Sequence, residues 1–388
     1  MHRADIRLPE LQLYSGPAGG QGDHRGTNLV SAYSSRQAVV RSWLSENDVC
    51  AMVISSAANI RYLSGFTGEG HLVLFAGGGG LCTDGRYELQ AAEESPELDC
   101  VLSSDGHLGA VIEYARAQGV ERLGFEENVV TYAAYRRLEE EFGADALRAT
   151  SSITQDARTV KDDDEIARIR RAAGIVDEAL TGFLDQLQPG MTEKEAAFEL
   201  DRRILTGGAD AIAFQTILAS GPSAACPHAR PSSRVLREGD MVKVDVGGRV
   251  DGYCSDITRT VFLGDPDERF VEVYSLVYEA QGAALERVGP GAECRELDEI
   301  ARQIISDGGY GDAFSHGLGH GVGLEVHEAP RLSARSTDTL APGMVVTVEP
   351  GVYLEGWGGV RIEDLVLVTE RGYEVLTGTP KWRDDCGR

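Results

Sequence analysis

Four carboxylates lie inside runs that otherwise read as buried β-strand, and this placement restricts the fold of the 388-residue chain more than any other feature. Asp245 and Asp256 fall in "DMVKVDVGGRVDGYCSDITRTV", Glu349 in "MVVTVEPGVYL" and Glu363 in "GVRIEDLVLV". A buried carboxylate has to be paired or bind a cation. Along the first of these strands Val242, Val244 and Val246 take one face and Asp245 the other. The turn signal "GGRVDG", centred on Val250 and Asp251, predicts a hairpin with Asp245 opposite Asp256, their β-carbons about 5 Å apart. Taken alone, that pair could equally be two solvated surface aspartates. Pro350 keeps Glu349 extended and ends its ladder. Arg361 and Glu363 share a strand face, so an internal ion pair is the alternative reading there.

The segment "FSHGLGHGVGLEVHEAP" supplies imidazoles. Its histidines, His316, His320 and His327, are spaced to share a helical face. Gly317, Gly319, Gly321 and Gly323 argue against a helix, since each costs ~1 kcal/mol relative to alanine in a helix interior. Extended backbone is expected instead, with glycine where something must come close. With His320 as a nitrogen ligand, the carboxylates form an oxygen-rich set whose four charges match two divalent cations. Such a set suits Mn²⁺, Co²⁺, Fe²⁺ or Zn²⁺ sharing one activated water in a dinuclear hydrolase.

The remaining sequence frames this constellation. Residues 31 to 157 alternate short apolar strands with helical stretches, which predicts a small α/β domain. A long amphipathic helix follows, with Ile166, Ile169, Ala173, Val176, Leu180, Phe183 and Leu187 recurring at three and four. Thr192 and Glu195 form a capping-box pattern ahead of a second helix, and the domain from 158 to 388 then becomes strand-rich, with further helices near 267–288 and 294–307. Residues 1 to 30 are polar and glycine-rich and lack the apolar stretch of a signal peptide, so a flexible leader is expected. The net charge of −25 would repel a phosphate backbone, which makes nucleic acid an unsuitable partner. No apolar run is long enough to span a membrane. Seven cysteines without a C-x-x-C pair read as reduced thiols, in keeping with a cytoplasmic protein.

From about residue 40 to 376 the chain resembles the prolidase, aminopeptidase P and methionine aminopeptidase superfamily, the "pita-bread" metallopeptidases. The resemblance rests on "DVGGRVDGYCSDITRT", "GHGVGLEVHE", "VEPGVY" and "GVRIEDLVLVT" in the family's order, with "GFTGEGHLVLF" and "CTDGRY" matching the amino-terminal domain of its Xaa-Pro-cleaving branch. It implies a creatinase-like N-terminal α/β domain followed by a C-terminal pita-bread domain. By resemblance, Asp245, Asp256, His320, Glu349 and Glu363 are the ligands of two divalent metal ions, Mn²⁺ foremost. Glu349 handles the proton, His228 and His327 contact the scissile peptide, His316 lines the proline side, and Arg361 stands beside the last ligand. The implied activity is removal of an N-terminal residue ahead of proline from small peptides, an Xaa-Pro aminopeptidase. The alternative is a prolidase restricted to dipeptides. A metal-free creatinase-like hydrolase or a binding protein on the same fold would be expected to lack part of this ligand set. Resemblance also implies a homodimer.

Overall fold

The computed structural model describes residues 13–14 and 24–382. The chain divides into two units, one ending at Arg158 and one beginning at Thr159. Of the expected leader, Leu13–Tyr14 form a short strand and residues 24–30 belong to the helix His24–Glu46, so position 30 falls within a helix; the rest of that segment lies outside the described residues.

In the first unit seven strands form one mixed sheet, in the order Leu13–Tyr14, Asp99–Leu102, Gly78–Thr83, His71–Phe75, Ala51–Ile54, Leu123–Glu126, Leu147–Thr150. The central strands Ala51–Ile54 and Leu123–Glu126 are buried along their whole length, which explains why they read as continuous apolar runs rather than alternating ones. Helix Gly106–Ala117 buries Ala110, Val111 and Tyr114 in the same core as Val53, Val73 and Val101.

The second unit is built from two helix pairs, each packed on strands that hold or directly adjoin two of the four carboxylates. Asp163–Leu184 starts with a complete capping box between Asp162 and Glu165, and Glu193–Thr206 starts with the predicted one between Thr192 and Glu195. Leu187 continues the apolar spacing but lies past the helix end, where Pro189 and Gly190 stop further winding. Val176, Leu180, Phe183, Leu200 and Ile204 from this pair share a core with Val242, Val244 and Val246 of strand Met241–Val246. Fully burying one such valine contributes roughly 1.5–3 kcal/mol. A slip of one residue would turn Lys243 and Asp245 toward the helices instead, so the apolar set fixes the direction in which the carboxylate points. Helices Glu268–Leu285 and Cys294–Asp307 bury Phe270, Val273, Val277, Leu297 and Ala301 with Val346, Val348 and Val366 of the second strand set. Among the described residues no helix is long and apolar enough to cross a membrane.

The hairpin register differs from the expected one. Val250 pairs with Tyr253, so the turn is Asp251–Gly252, both at positive φ (46° and 82°). Asp–Gly is the favoured pair for such a turn, whereas a centre on Val250 would have forced a β-branched residue into the left-handed region. Asp245 consequently faces Thr258 across the ladder, and Asp256 precedes the strand Ile257–Phe262.

Extended backbone in the glycine-rich segment is observed: Gly319–Gly321 is a strand paired on both sides, with Glu328–Leu332 and Val345–Val348. What comes close is neighbouring backbone. A β-carbon at Gly319 would stand 2.0 Å from the Thr347 carbonyl oxygen, and one at Gly321 would stand 2.1 Å from that of Ala329.

Candidate metal centre

His320 projects from the glycine-bounded strand and is 6% exposed. Its backbone N–H donates to Thr347 Oγ1 (3.0 Å), and Thr347 Oγ1 donates to Glu349 Oε1 (3.1 Å). Nδ1 sits 3.1 Å from the Gly321 carbonyl, which accepts its proton. That leaves Nε2 free to face the carboxylates, 3.2 Å from Glu349 Oε1 and 3.8 Å from Asp256 Oδ2. Ligand atoms of Asp256, His320 and Glu363 all lie within 4.8 Å of one another.

Glu363 is held by Thr258, whose hydroxyl donates to its Oε2 (2.6 Å) while accepting from Arg361 Nε (2.9 Å). Arg361 also binds Asp245 Oδ2 through Nη2 and Tyr353 Oη through Nη1 (2.9 Å). Tyr353 Oη lies 2.8 Å from His316 Nε2, and His316 Nδ1 lies 2.8 Å from the Gly317 carbonyl. One proton arrangement satisfies all of these: Arg361 donates to Tyr353, Tyr353 to His316, and His316 to Gly317. Beneath them Lys243 is fully buried on the same strand face as Asp245. Burial and the nearby Arg361 push its pKa down, to about 6, and the Asp245 charge opposes them.

The electrostatics of this cluster call for cations. Burial, followed by mutual repulsion with Glu363, Asp245 and Glu349, holds Asp256 well above the usual carboxylate range. Burial and the charges of Glu349 and Asp245 do the same to Glu363. Asp245 is raised by burial, with Arg361 opposing. Asp245 Oδ1 is also buried without a hydrogen-bond partner among the described residues. An orphaned carboxylate oxygen beside three more carboxylates, two of them buried, and an imidazole nitrogen that faces them fits divalent cations, whose charge relieves the repulsion that a protein interior cannot.

The cluster forms the floor of a cavity of about 500 Å³, and all nine residues singled out from the sequence line it: His228, Asp245, Asp256, His316, His320, His327, Glu349, Arg361 and Glu363. His327 is exposed at the rim, its ring centroid 4.4 Å from that of His320. Partial burial, then the His320 and Arg331 charges, push its pKa down to about 4, so the ring is neutral at pH 7. His228 is exposed at the same rim. The sequence reading missed Thr258, Thr347, Tyr353 and Lys243, and also Phe214, Arg230 and Arg331 in the wall. The two threonines alternate in phase with the ligands, a signal that strand periodicity could have supplied. Nothing local marks the two rim arginines.

Residues 167–370 match the metallopeptidase family M24, and residues 36–160 match the creatinase/prolidase N-terminal domain. The chain belongs to metallopeptidase family M24. It is therefore a peptide hydrolase that depends on divalent metal, with a creatinase-type N-terminal domain and a pita-bread catalytic domain. It is 36% identical over 346 residues to the Xaa-Pro dipeptidase of Pyrococcus furiosus, spanning 87% of this chain and 96% of that protein. Among solved structures it is similar to an Xaa-Pro dipeptidase from Bacillus anthracis, with a TM-score of 0.86 at 37% identity over 90% of this chain and 98% of the other. An X-Pro aminopeptidase from Thermotoga maritima is similar too, with a TM-score of 0.82 at 37% identity over 88% and 97%.

Proposed function

We propose that this member of the M24 family is an Xaa-Pro dipeptidase, with aminopeptidase activity on longer Xaa-Pro peptides as the second reading. The observation that carries the choice is the guanidinium pair at the cavity rim: Arg230 and Arg331 line the cavity and make no ion pair among the described residues. A dipeptide ends one residue past the scissile bond, so its carboxylate arrives where such a cation is useful; a longer peptide presents a neutral amide there. The P. furiosus and B. anthracis relatives, both dipeptidases by name, support this order over the aminopeptidase expected from sequence. Similarity to the T. maritima aminopeptidase keeps the second reading.

In this reading Asp245, Asp256, His320, Glu349 and Glu363 hold two divalent cations, Mn²⁺ foremost. Bound there, the cations supply Lewis acidity toward the scissile carbonyl and lower the pKa of water. Glu349 takes the proton from the attacking water on a carboxylate oxygen and delivers it to the proline nitrogen, which departs as a secondary amine. His327, neutral at pH 7, and His228 donate hydrogen bonds to the carbonyl oxygen as it gains charge. His316, fixed by Tyr353, forms the wall on the proline side, and Arg361 keeps Asp245 aligned. The six described cysteines are all free, which fits a reducing compartment such as the cytoplasm. A homodimer is proposed as well, and light scattering returning a monomer mass of 41.7 kDa would reject it.

The deciding experiment compares Xaa-Pro with Xaa-Pro-Xaa peptides by mass spectrometry on Mn²⁺-loaded protein. Dipeptides should be hydrolysed far faster, and Arg331→Gln should raise KM for the dipeptide alone. Equal rates on both peptides would replace the dipeptidase reading with the aminopeptidase one.

A further inference from the structure

The roles assigned above leave Lys243 without a task. Its side chain is buried at 0% exposure, where the N–H donors of its nitrogen are costly unless they are matched. They are matched by backbone. Nζ donates to the carbonyls of Ala224 (3.1 Å), Cys226 (2.7 Å) and Pro227 (3.2 Å), and it lies 4.9 Å from the centroid of the Tyr353 ring. Three carbonyls and an aromatic face thus surround the side-chain nitrogen, whose N–H donors point at backbone rather than at the carboxylates.

Those carbonyls belong to the segment that leads directly into His228. It begins in the last residues of the short helical turn Gly221–Ala225 and lies outside any strand. Its backbone is held locally by the bonds from Cys226 N to Ser223 O (3.1 Å) and from Ala229 N to Cys226 O (3.3 Å). The His228 ring has no hydrogen bond among the described residues, so its position over the cavity is set by the backbone that carries it. Arg361 Nη1 reaches the Pro227 carbonyl as well (3.2 Å), from the same nitrogen that donates to Tyr353. The Lys243 nitrogen and the Arg361 guanidinium thus pin the last residues before His228. Lys243 and Asp245 lie two apart on one strand and face the same way, so a single register sets both the carboxylate and the clamp.

We propose that Lys243 is a positioning residue for the peptidase reaction: it clamps the backbone at 224–227 and so sets where His228 stands over the carboxylates, without touching substrate. The inference rests on the reading of His228 as a substrate-facing group. A displacement of about 1 Å at such a group can cost a hundredfold in rate, and a residue acting through His228 loses its influence once His228 is gone.

The test is a double-mutant cycle of Lys243→Met and His228→Ala on Mn²⁺-loaded protein, with kcat and KM on an Xaa-Pro dipeptide, metal content and melting temperature read for each variant. Lys243→Met should lower kcat by about tenfold to a hundredfold, with KM and metal content held, and should cost less than about twofold in the His228→Ala background. Equal losses in both backgrounds, or a loss confined to KM or metal content, would overturn the proposal while leaving the peptidase reading intact. His228→Ala with unchanged turnover would overturn the reading of His228 and this inference with it. Where Lys243→Met does not fold, Lys243→Gln, which keeps two N–H donors, carries the same cycle; it should show a smaller kcat loss that again vanishes without His228, and additive losses would refute the clamp.

Discussion

Thr258→Val tests whether the carboxylate cluster is held in place by the strand opposite it. Thr258 is fully buried, and its hydroxyl spans two charged groups: it donates to Glu363 Oε2 at 2.6 Å and accepts from Arg361 Nε at 2.9 Å. Valine keeps the shape and removes both bonds. A hydrogen bond to a charged group contributes about 1.5–3 kcal/mol, and the substitution strands a buried guanidinium N–H, so a loss of about 3 kcal/mol is expected. For a unit of this size that corresponds to a fall in melting temperature of roughly 6–12 °C. Glu363 also loses the donor that orients it, and removing such an outer-shell partner typically lowers metal affinity by about 10–100-fold. Competition against a fluorescent chelator measures the affinity, and differential scanning calorimetry of metal-free protein measures the stability. Thr258→Ser keeps the hydroxyl and should recover most of both. A Thr258→Val variant that binds Mn²⁺ as tightly as the parent and melts at the same temperature would refute the reasoning.

Asp245→Ala should abolish turnover and reduce metal content measured by elemental analysis, whereas His327→Ala should lose rate with its metal retained; activity of Asp245→Ala that survives chelation would remove the assigned site. Gly319→Ala puts a β-carbon 2.0 Å from the Thr347 carbonyl oxygen, which has no room to retreat within a paired strand. It should destabilise by about 3 kcal/mol in urea unfolding and weaken metal binding through the shifted Thr347–His320 bond, and an unchanged midpoint would show that the strands can part. In the first unit, burial and then the His107 charge push His71 down to about 4 from an ordinary 6.5. The unfolded chain therefore binds the extra proton between those values, and stability falls as pH drops from 6.5 toward 4. Urea unfolding at pH 7 and pH 5 should show a shallower pH dependence for His71→Gln than for the parent; equal slopes would assign the acid sensitivity elsewhere.

The parts of this protein that were readable in sequence are those whose cause is local. A carboxylate between valines announces a charge that needs a partner, and all nine residues marked on such grounds or by resemblance line one cavity. Capping at Thr192 and the refusal of the glycine-rich segment to form a helix follow from the same short-range chemistry. The hairpin register was misjudged because the centre of symmetry was placed on Val250 rather than on the Asp–Gly pair, and a shift of one position in the turn moves every partner by two. The glycines stand where something comes close, as expected, but what approaches Gly319 is backbone from residue 347, which no local signal could name.

Sequence alone determined which side chains had to be sheltered together and which face of each strand they occupy, because alternation and charge act over a few residues. Tertiary structure decided what meets them. Thr258 reaches Glu363 across 105 positions, Arg361 reaches Asp245 across 116 and Pro227 across 134. Such pairings depend on how two separately packed helix-and-strand sets close on each other, and the free energy that selects that closure is spread over the whole apolar core rather than carried by the residues that finally touch.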